Sequence, residues 1–193
     1  PGGDFLRCPR QRGEGLNLLG LDAGALGDDV WRPTPPSEAY LAGATGVNDS
    51  DKLKAFQEIN TRIRRENEEK IRSAIAESAP EPLFTEAFAQ MPDSQVRSAF
   101  AERRSYLLEG QKVSESIHYG YDLASLAGAP IPASNSGRVV FADELGIYGN
   151  CVILDHGLGL HSLYGHLSNI DVKAGDTVEK GQTLGQSGQT GLA

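Results

Sequence analysis

The sequence has no long apolar run, only two cysteines and an excess of acidic residues. Its 193 residues include no run of eighteen apolar side chains, so no membrane-spanning helix is encoded. The only two cysteines are Cys8 and Cys151, and Cys151 lies in the apolar run Cys-Val-Ile-Leu, which favours a buried free thiol. Acidic residues outnumber basic ones by 26 to 18, for a formal net charge of −8, so no basic nucleic-acid-binding stripe is expected.

Three regions differ in composition. Residues 1–47 are rich in glycine and proline and have no readable periodicity, so their structure and role stay open. Residues 48–97 form a helical region, and residues 98–193 form a region of short strands and turns. A chain of this length suffices for one core and possibly two small ones. The oligomeric state cannot be read from the sequence.

The helical region begins with an amphipathic pattern over residues 51–78. Apolar side chains recur there at steps of three and four residues, which predicts a long helix. This stripe consists of Leu53, Phe56, Ile59, Ile63, Ile71 and Ile75. We expect it to pack on another part of the protein or on a second copy, and we favour a structural helix over an inhibitory or partner-binding arm. A second, shorter helix is expected from residue 86, extending as far as 91 or 103.

The C-terminal half has the pattern of strands joined by tight turns. Residues 137–142 predict a strand, residues 149–167 a hairpin that turns at 157–159, and residues 171–185 short strands between glycine and aspartate turns. We therefore expect an α+β fold. A helical N-terminal region precedes an antiparallel β-sheet or barrel-sandwich domain, similar to a duplicated hybrid motif.

The segment His118-Tyr-Gly-Tyr-Asp122 offers one nitrogen and one oxygen ligand to a metal ion. Positions four apart on a straight strand are about 13 Å from each other, too far to share an ion. Gly120 makes a helix unfavourable but permits a bend that brings the two side chains together. Such a pair suits Zn²⁺, which takes three protein ligands in catalytic sites, although spacing alone also allows a structural role.

The other three histidines fall in and around the predicted hairpin. Strict strand alternation places Tyr164 and His166 on one face and turns His161 away from them. His156 opens the turn, and we expect it to make structural hydrogen bonds. We expect His161 to be a surface or packing residue. A metal site built from His156, His161 and His166 is rejected, because alternation separates them.

Taken together, several motifs resemble the lysostaphin-type zinc metalloendopeptidases, bacterial enzymes that cut peptide bonds in peptidoglycan. The matching segments follow the order and spacing of that family and cover about half of the chain. They are residues 98–104, 118–124, 132–141, 149–157, 163–168 and 172–191.

The resemblance implies roles for particular residues. His118 and Asp122 correspond to two zinc ligands, and His166 corresponds to a histidine that assists catalysis beside the metal. The third ligand of that family belongs to a His-x-His pair further along, which this sequence, ending at Ala193, does not contain. We therefore expect the 193-residue polypeptide, without the third ligand and its strand, to be inactive and to fold poorly or associate through an exposed edge. A longer version reaching a His-x-His pair should be active.

The function implied is zinc-dependent hydrolysis of peptide cross-links in peptidoglycan, at a periplasmic or secreted location. No signal peptide is present in these residues, and a start at Pro1 is typical of a processed or trimmed chain. One alternative is a catalytically inactive relative that binds cell wall or regulates another cell-wall hydrolase. A second alternative is a biotinyl- or lipoyl-carrier module, because the turns in residues 172–185 resemble the turn pattern of those domains. Lys173 and Lys180 lack the hairpin-tip setting of a modifiable lysine, so carrier function is not expected.

Overall fold

The computed structural model describes residues 4–6, 49–108 and 111–192. Of the glycine- and proline-rich region 1–47, only the backbone of strand β1 (Asp4–Leu6) is described, and Cys8 lies outside the described residues. Cys151 is a buried free thiol, as its apolar setting predicted, and burial raises its pKa. Among the described helices, none has the length and apolar character needed to span a membrane.

After β1, the next described element is a long helix, as the amphipathic pattern predicted. Helix α1 (Asp49–Glu58) continues through a π-helical turn (Ile59–Ile63) into helix α2 (Arg64–Ala74), four residues short of the predicted end. The backbone conformation stays helical across both junctions, so the three segments form one continuous helix.

The apolar stripe of this long helix packs inside the protein, which confirms the expected contact. Phe56 and Ile59 are buried, and the Phe56 ring meets the edge of Tyr106 with ring centroids 4.9 Å apart. Further along, Ile71 and Ile75 pack on a second cluster. Its buried members are Leu145, Cys151 and Ile153. The helix therefore stabilises the strands beneath it by removing apolar surface from water.

The predicted second helix is wrong. Residues 75–94 contain neither helix nor strand and run across the β-sheet as an extended strap. Prolines at 80, 82 and 92 remove backbone donors, and several of the other amides bond to residues in or next to the sheet strands. For example, the Leu83 amide donates to the carbonyl of His156, and the Ala89 amide donates to that of Ser134.

The largest sheet has six antiparallel strands in the order β10-β7-β8-β9-β11-β6. Its strands are β6 (Pro130–Pro132), β7 (Gly137–Glu144), β8 (Asn150–Asp155), β9 (His161–Ile170), β10 (Thr177–Val178) and β11 (Thr183–Ser187). The predicted strand over 137–142 and the predicted hairpin are both confirmed by β7, β8 and β9. A 3₁₀ turn (Gly146–Tyr148) links β7 to β8.

Two smaller sheets complete the described fold. Strand β5 (Tyr121–Ala124) lies between β1, which is parallel to it, and the antiparallel strand β2 (Gln95–Ser98). Strands β3 (Arg103–Leu108) and β4 (Gln111–Ile117) form a separate hairpin. Because β2 pairs with β5, this sheet crosses the predicted boundary between residues 97 and 98. The observed architecture is the expected α+β arrangement of a helix followed by antiparallel sheets.

Asp155, at the end of β8, fastens the strap to the sheet. Its fully buried carboxylate accepts hydrogen bonds from Ser78 Oγ at 2.6 Å, from the Gly157 amide at 2.8 Å and from the Ala79 amide at 2.9 Å. Burial by itself raises the pKa of Asp155, but these three hydrogen bonds and the nearby His161 outweigh it. The pKa therefore lies below its ordinary value.

We expect Asp155→Asn to lower the free energy of unfolding by about 1.5–3 kcal/mol at pH 7, because the amide cannot accept all three hydrogen bonds. A depressed pKa stabilises the fold above the ordinary aspartate value of about 3.9, and this contribution is lost as the pH falls through the lower folded value. Urea unfolding of both proteins at neutral and acidic pH measures this effect. The two free energies of unfolding should differ at neutral pH and become equal in acid. The exposed Asp143→Asn is the control, and a difference that stays constant with pH would contradict the expectation.

Candidate active site

One cavity of about 400 Å³ brings together the residues that the sequence singled out. It lies between the long helix, the β3–β4 hairpin and strand β9. His118, Asp122 and His166 all contribute to its wall, although 48 residues of sequence separate the first from the last. The cavity is therefore the candidate active site.

His118 and Asp122 approach each other through the expected bend. His118 follows the last residue of β4, Asp122 is the second residue of β5, and residues 118–120 between the strands are irregular. The distance from His118 Nε2 to Asp122 Oδ1 is 3.1 Å, and both side chains are largely buried. Two donor atoms that bind one zinc ion lie roughly 3 to 3.5 Å apart, and the observed separation has this size.

The hydrogen bonding of the His118 ring determines which nitrogen faces the carboxylate as an acceptor. His118 Nδ1 lies 3.1 Å from the carbonyl oxygen of Ala99, which can only accept. Nδ1 therefore carries the hydrogen, and in the neutral ring Nε2 has the lone pair. The backbone of 99–102 holds this arrangement, since the Ala101 amide donates to the His118 carbonyl and the His118 amide donates to the Glu102 carbonyl.

This donor set fits a cation. A lone pair on His118 Nε2 and the charged Asp122 Oδ1 repel each other at 3.1 Å unless a proton on Nε2 or a metal cation lies between them. One imidazole nitrogen and one carboxylate oxygen are ligands that Zn²⁺ accepts. Among residues 49–108 and 111–192, no group of three or more His, Cys, Asp or Glu side chains forms a metal site. The described residues thus supply two ligands.

His166 is held in the cavity by an irregularity in strand β9. Gly165 and His166 together lie opposite the single residue Cys151 of β8, which is a β-bulge. His166 has a φ of +61°, a strained conformation for a residue with a side chain. Its Nδ1 donates to the Thr190 carbonyl at 2.8 Å, so in the neutral ring Nε2 is the basic nitrogen.

The bulge corrects one expectation, that Tyr164 and His166 share a face. Alternation holds from Ser162 to Tyr164, but the extra residue then shifts the strand, and His166 joins Leu163 at the cavity. Tyr164 is instead buried in the main core, where its hydroxyl lies 2.7 Å from Ser134 Oγ and accepts from the Ser134 amide. Tyr164 is therefore a packing residue, and it is not among the residues that line the cavity.

The other two histidines have the structural roles that were expected. His156 is fully buried, with Nδ1 2.7 Å from the Ser136 carbonyl and Nε2 2.7 Å from Ser162 Oγ. Burial lowers its pKa, which keeps the ring neutral. His161 packs beside Asp155, with Nε2 3.6 Å from Oδ1. Neither histidine lines the cavity.

Several residues at the cavity were not singled out by their sequence. Arg104 and Tyr148 line it from the hairpin and the 3₁₀ turn, and Arg64 and Arg72 line it from the long helix. Burial raises the pKa of Tyr148, so its phenol stays protonated at neutral pH. No local pattern distinguishes these side chains from ordinary surface residues. Arg104 does fall within the segment 98–104 that resembles the peptidase family.

Comparison with protein families identifies the domain that contributes His118, Asp122 and His166 to this cavity. The model of "Peptidase family M23" matches residues 116–193. The peptidoglycan DD-endopeptidase ShyB of Vibrio cholerae is 32% identical over 97 residues, which are 50% of this chain and 22% of ShyB. Lysostaphin of Staphylococcus staphylolyticus is 41% identical over 83 residues, which are 42% of this chain and 17% of lysostaphin. The chain thus spans about a fifth of the length of these relatives.

A solved structure extends the similarity to the fold. A candidate peptidase M23 from Pseudomonas aeruginosa is 33% identical and superposes with a TM-score of 0.50, covering 68% of this chain and 51% of that one. The matched share exceeds the 78 residues from 116 to 193, so the similarity includes elements that precede the family match. The resemblance indicated by the sequence motifs is confirmed, and residues 116–193 form a domain of the lysostaphin-like peptidase family M23.

Proposed function

We propose that this domain, in a version that extends to a His-x-His pair, hydrolyses peptide cross-links of bacterial peptidoglycan, using a water molecule activated by Zn²⁺. The observation that carries the proposal is the 3.1 Å approach of His118 Nε2 and Asp122 Oδ1 within a cavity that His166 also lines. The domain organisation that goes with it is a helical region before residue 98 and a metallopeptidase domain after it, with β2 joining the two.

In the proposed mechanism, His118 and Asp122 would hold the metal. A bound Zn²⁺ supplies Lewis acidity, which lowers the pKa of water towards 7 and polarises the scissile carbonyl. His166 acts as the general base, because its hydrogen bond to the Thr190 carbonyl leaves Nε2 to accept a proton from the attacking water. The same nitrogen then returns the proton to the departing amine.

The substrate class follows from the relatives and agrees with the charges around the cavity. ShyB is described as a peptidoglycan DD-endopeptidase. Arg64 and Arg72 line the cavity from the helical side, where they would attract carboxylates of a peptide. Glu68 also lines the cavity and lies 3.7 Å from Arg72, so it offsets part of that positive charge. Action on peptidoglycan would place the protein in the cell envelope, either periplasmic or secreted.

The test is hydrolysis of purified cross-linked muropeptide dimers by a version of the protein that extends to a His-x-His pair. We expect mass spectrometry to detect monomers that have together gained one water. Removal of the metal with a chelator should stop the reaction, and added Zn²⁺ should restore it.

Two outcomes would count against the proposal. Cleavage that persists unchanged after complete metal removal would refute the metal-dependent mechanism. Binding of the dimers without cleavage, by a zinc-loaded and folded protein, would indicate the inactive cell-wall-binding relative instead.

A further inference from the structure

Arg104 is buried behind the candidate metal ligands. Its side chain is 10% exposed, and its Nη2 donates to Asp122 Oδ2 at 2.9 Å and to Ser98 Oγ at 2.8 Å. A second carboxylate oxygen, Glu102 Oε2, lies 3.6 Å from the same nitrogen. Arg104 therefore lies in a dry environment where its charge is balanced by two carboxylates.

These contacts connect one guanidinium group to both candidate ligands. On Asp122, the hydrogen bond engages Oδ2 and leaves Oδ1 directed at His118 Nε2. On the other side, Ser98 Oγ, which accepts from Arg104, lies 3.2 Å from His118 Nδ1. The hydroxyl oxygen can also accept from Nδ1, so this contact is compatible with the tautomer that the Ala99 carbonyl selects, in which Nδ1 carries the hydrogen and Nε2 the lone pair.

We propose that Arg104 and Ser98 are positioning residues, which restrict Asp122 to one metal-binding oxygen and orient His118 so that Nε2 meets it. This inference rests on the proposed metal-dependent function. It assigns no contact between Arg104 and the substrate or the reacting atoms.

Two effects of Arg104 on metal binding oppose each other. Its positive charge repels a cation, while its hydrogen bonds fix the geometry of the ligands. Because Asp122 and Glu102 already balance the charge, orientation is the larger effect. The two effects predict opposite changes in zinc affinity for a variant that lacks the guanidinium group. Loss of repulsion would strengthen zinc binding, and loss of orientation would weaken it.

The experiment is a titration of the 193-residue chain with Zn²⁺ alone, followed by the NMR shifts of the backbone amides of residues 118–122. NMR suits the weak binding expected of two ligands. We expect Arg104→Met to weaken binding by about 10- to 100-fold. Ser98→Ala should weaken it less, and Arg104→Lys, which restores charge and one donor group, should recover part of the loss.

The matched control is Arg103→Met, one residue earlier on the same strand. Arg103 is exposed, so the same chemical change there should leave zinc affinity within about twofold, since its side chain touches no ligand. Thermal unfolding of the metal-free proteins, measured in parallel, separates loss of stability from loss of affinity.

Three results would overturn the inference. Unchanged affinity in a folded Arg104→Met variant would show that Arg104 only stabilises the fold, and tighter binding would show that charge repulsion dominates. If that variant does not fold, unchanged affinity in Ser98→Ala is the deciding negative result. Failure to bind Zn²⁺ by both the unmodified chain and the version that extends to a His-x-His pair would instead remove the proposed metal site and this inference with it.

Discussion

Replacing His118 with alanine is expected to abolish both zinc binding and peptidoglycan hydrolysis, whereas replacing His166 should leave zinc bound. His118 contributes one of the two ligands that lie 3.1 Å apart, so its loss leaves Asp122 alone in the described part of the site. His166→Ala should lower turnover by about 10²- to 10⁴-fold, which is the usual contribution of a positioned acid–base group. Zinc content and turnover of muropeptide dimers, measured on the version that extends to a His-x-His pair, check both expectations.

A third histidine provides the control for these substitutions. His161 is also partly buried on strand β9, but it packs against Asp155 away from the cavity. His161→Ala should therefore retain zinc and most of the activity. Equal loss of zinc in the His118 and His166 variants would mean that ligand and catalyst have been confused.

Replacing Phe56 with alanine is expected to lower the free energy of unfolding by about 3–5 kcal/mol, the usual range for a buried phenylalanine. Phe56 has no exposed surface and meets the Tyr106 ring edge at 4.9 Å, so its removal leaves a cavity between the long helix and the β3–β4 hairpin. Urea unfolding followed by circular dichroism measures the loss.

Arg65→Ala is the matched control for Phe56, because Arg65 is exposed on the same helix and alanine has high helix propensity. We expect a change within about 0.5 kcal/mol. A similarly small effect of Phe56→Ala would show that the helix does not depend on this contact, and the amphipathic interpretation of the stripe would lose its main support.

Elements with local periodicity could be predicted from the sequence. The spacing of Phe56, Ile59 and Ile63 determines a helix face whatever lies against it, and the predicted helix was found over residues 49–74. The hairpin of β8 and β9 followed from apolar strands around a glycine turn. The pair His118 and Asp122 could also be singled out, since a glycine between two ligand-type residues permits the bend that brings them together.

The failures came where non-local contacts override local preference. Residues 86–103 contain enough helix-forming side chains to suggest a helix, yet the strap bonds instead to the distant carbonyls of Ser134 and His156. A bulge opposite Cys151 moved His166 away from the face of Tyr164, and one inserted residue is invisible in an alternating pattern.

The sequence by itself determined the amphipathic helix, the hairpin strands and the candidate ligands His118 and Asp122, because each depends on residues within a few positions of one another. The family resemblance implied that His166 lies beside those ligands, and the tertiary structure brings all three into one cavity. Only the tertiary structure decided that Arg104 lies buried behind Asp122. The physical reason is that burial and hydrogen-bond partners depend on which strands become neighbours. An arginine on β3 has the same local pattern whether it faces water, as Arg103 does, or a carboxylate, as Arg104 does.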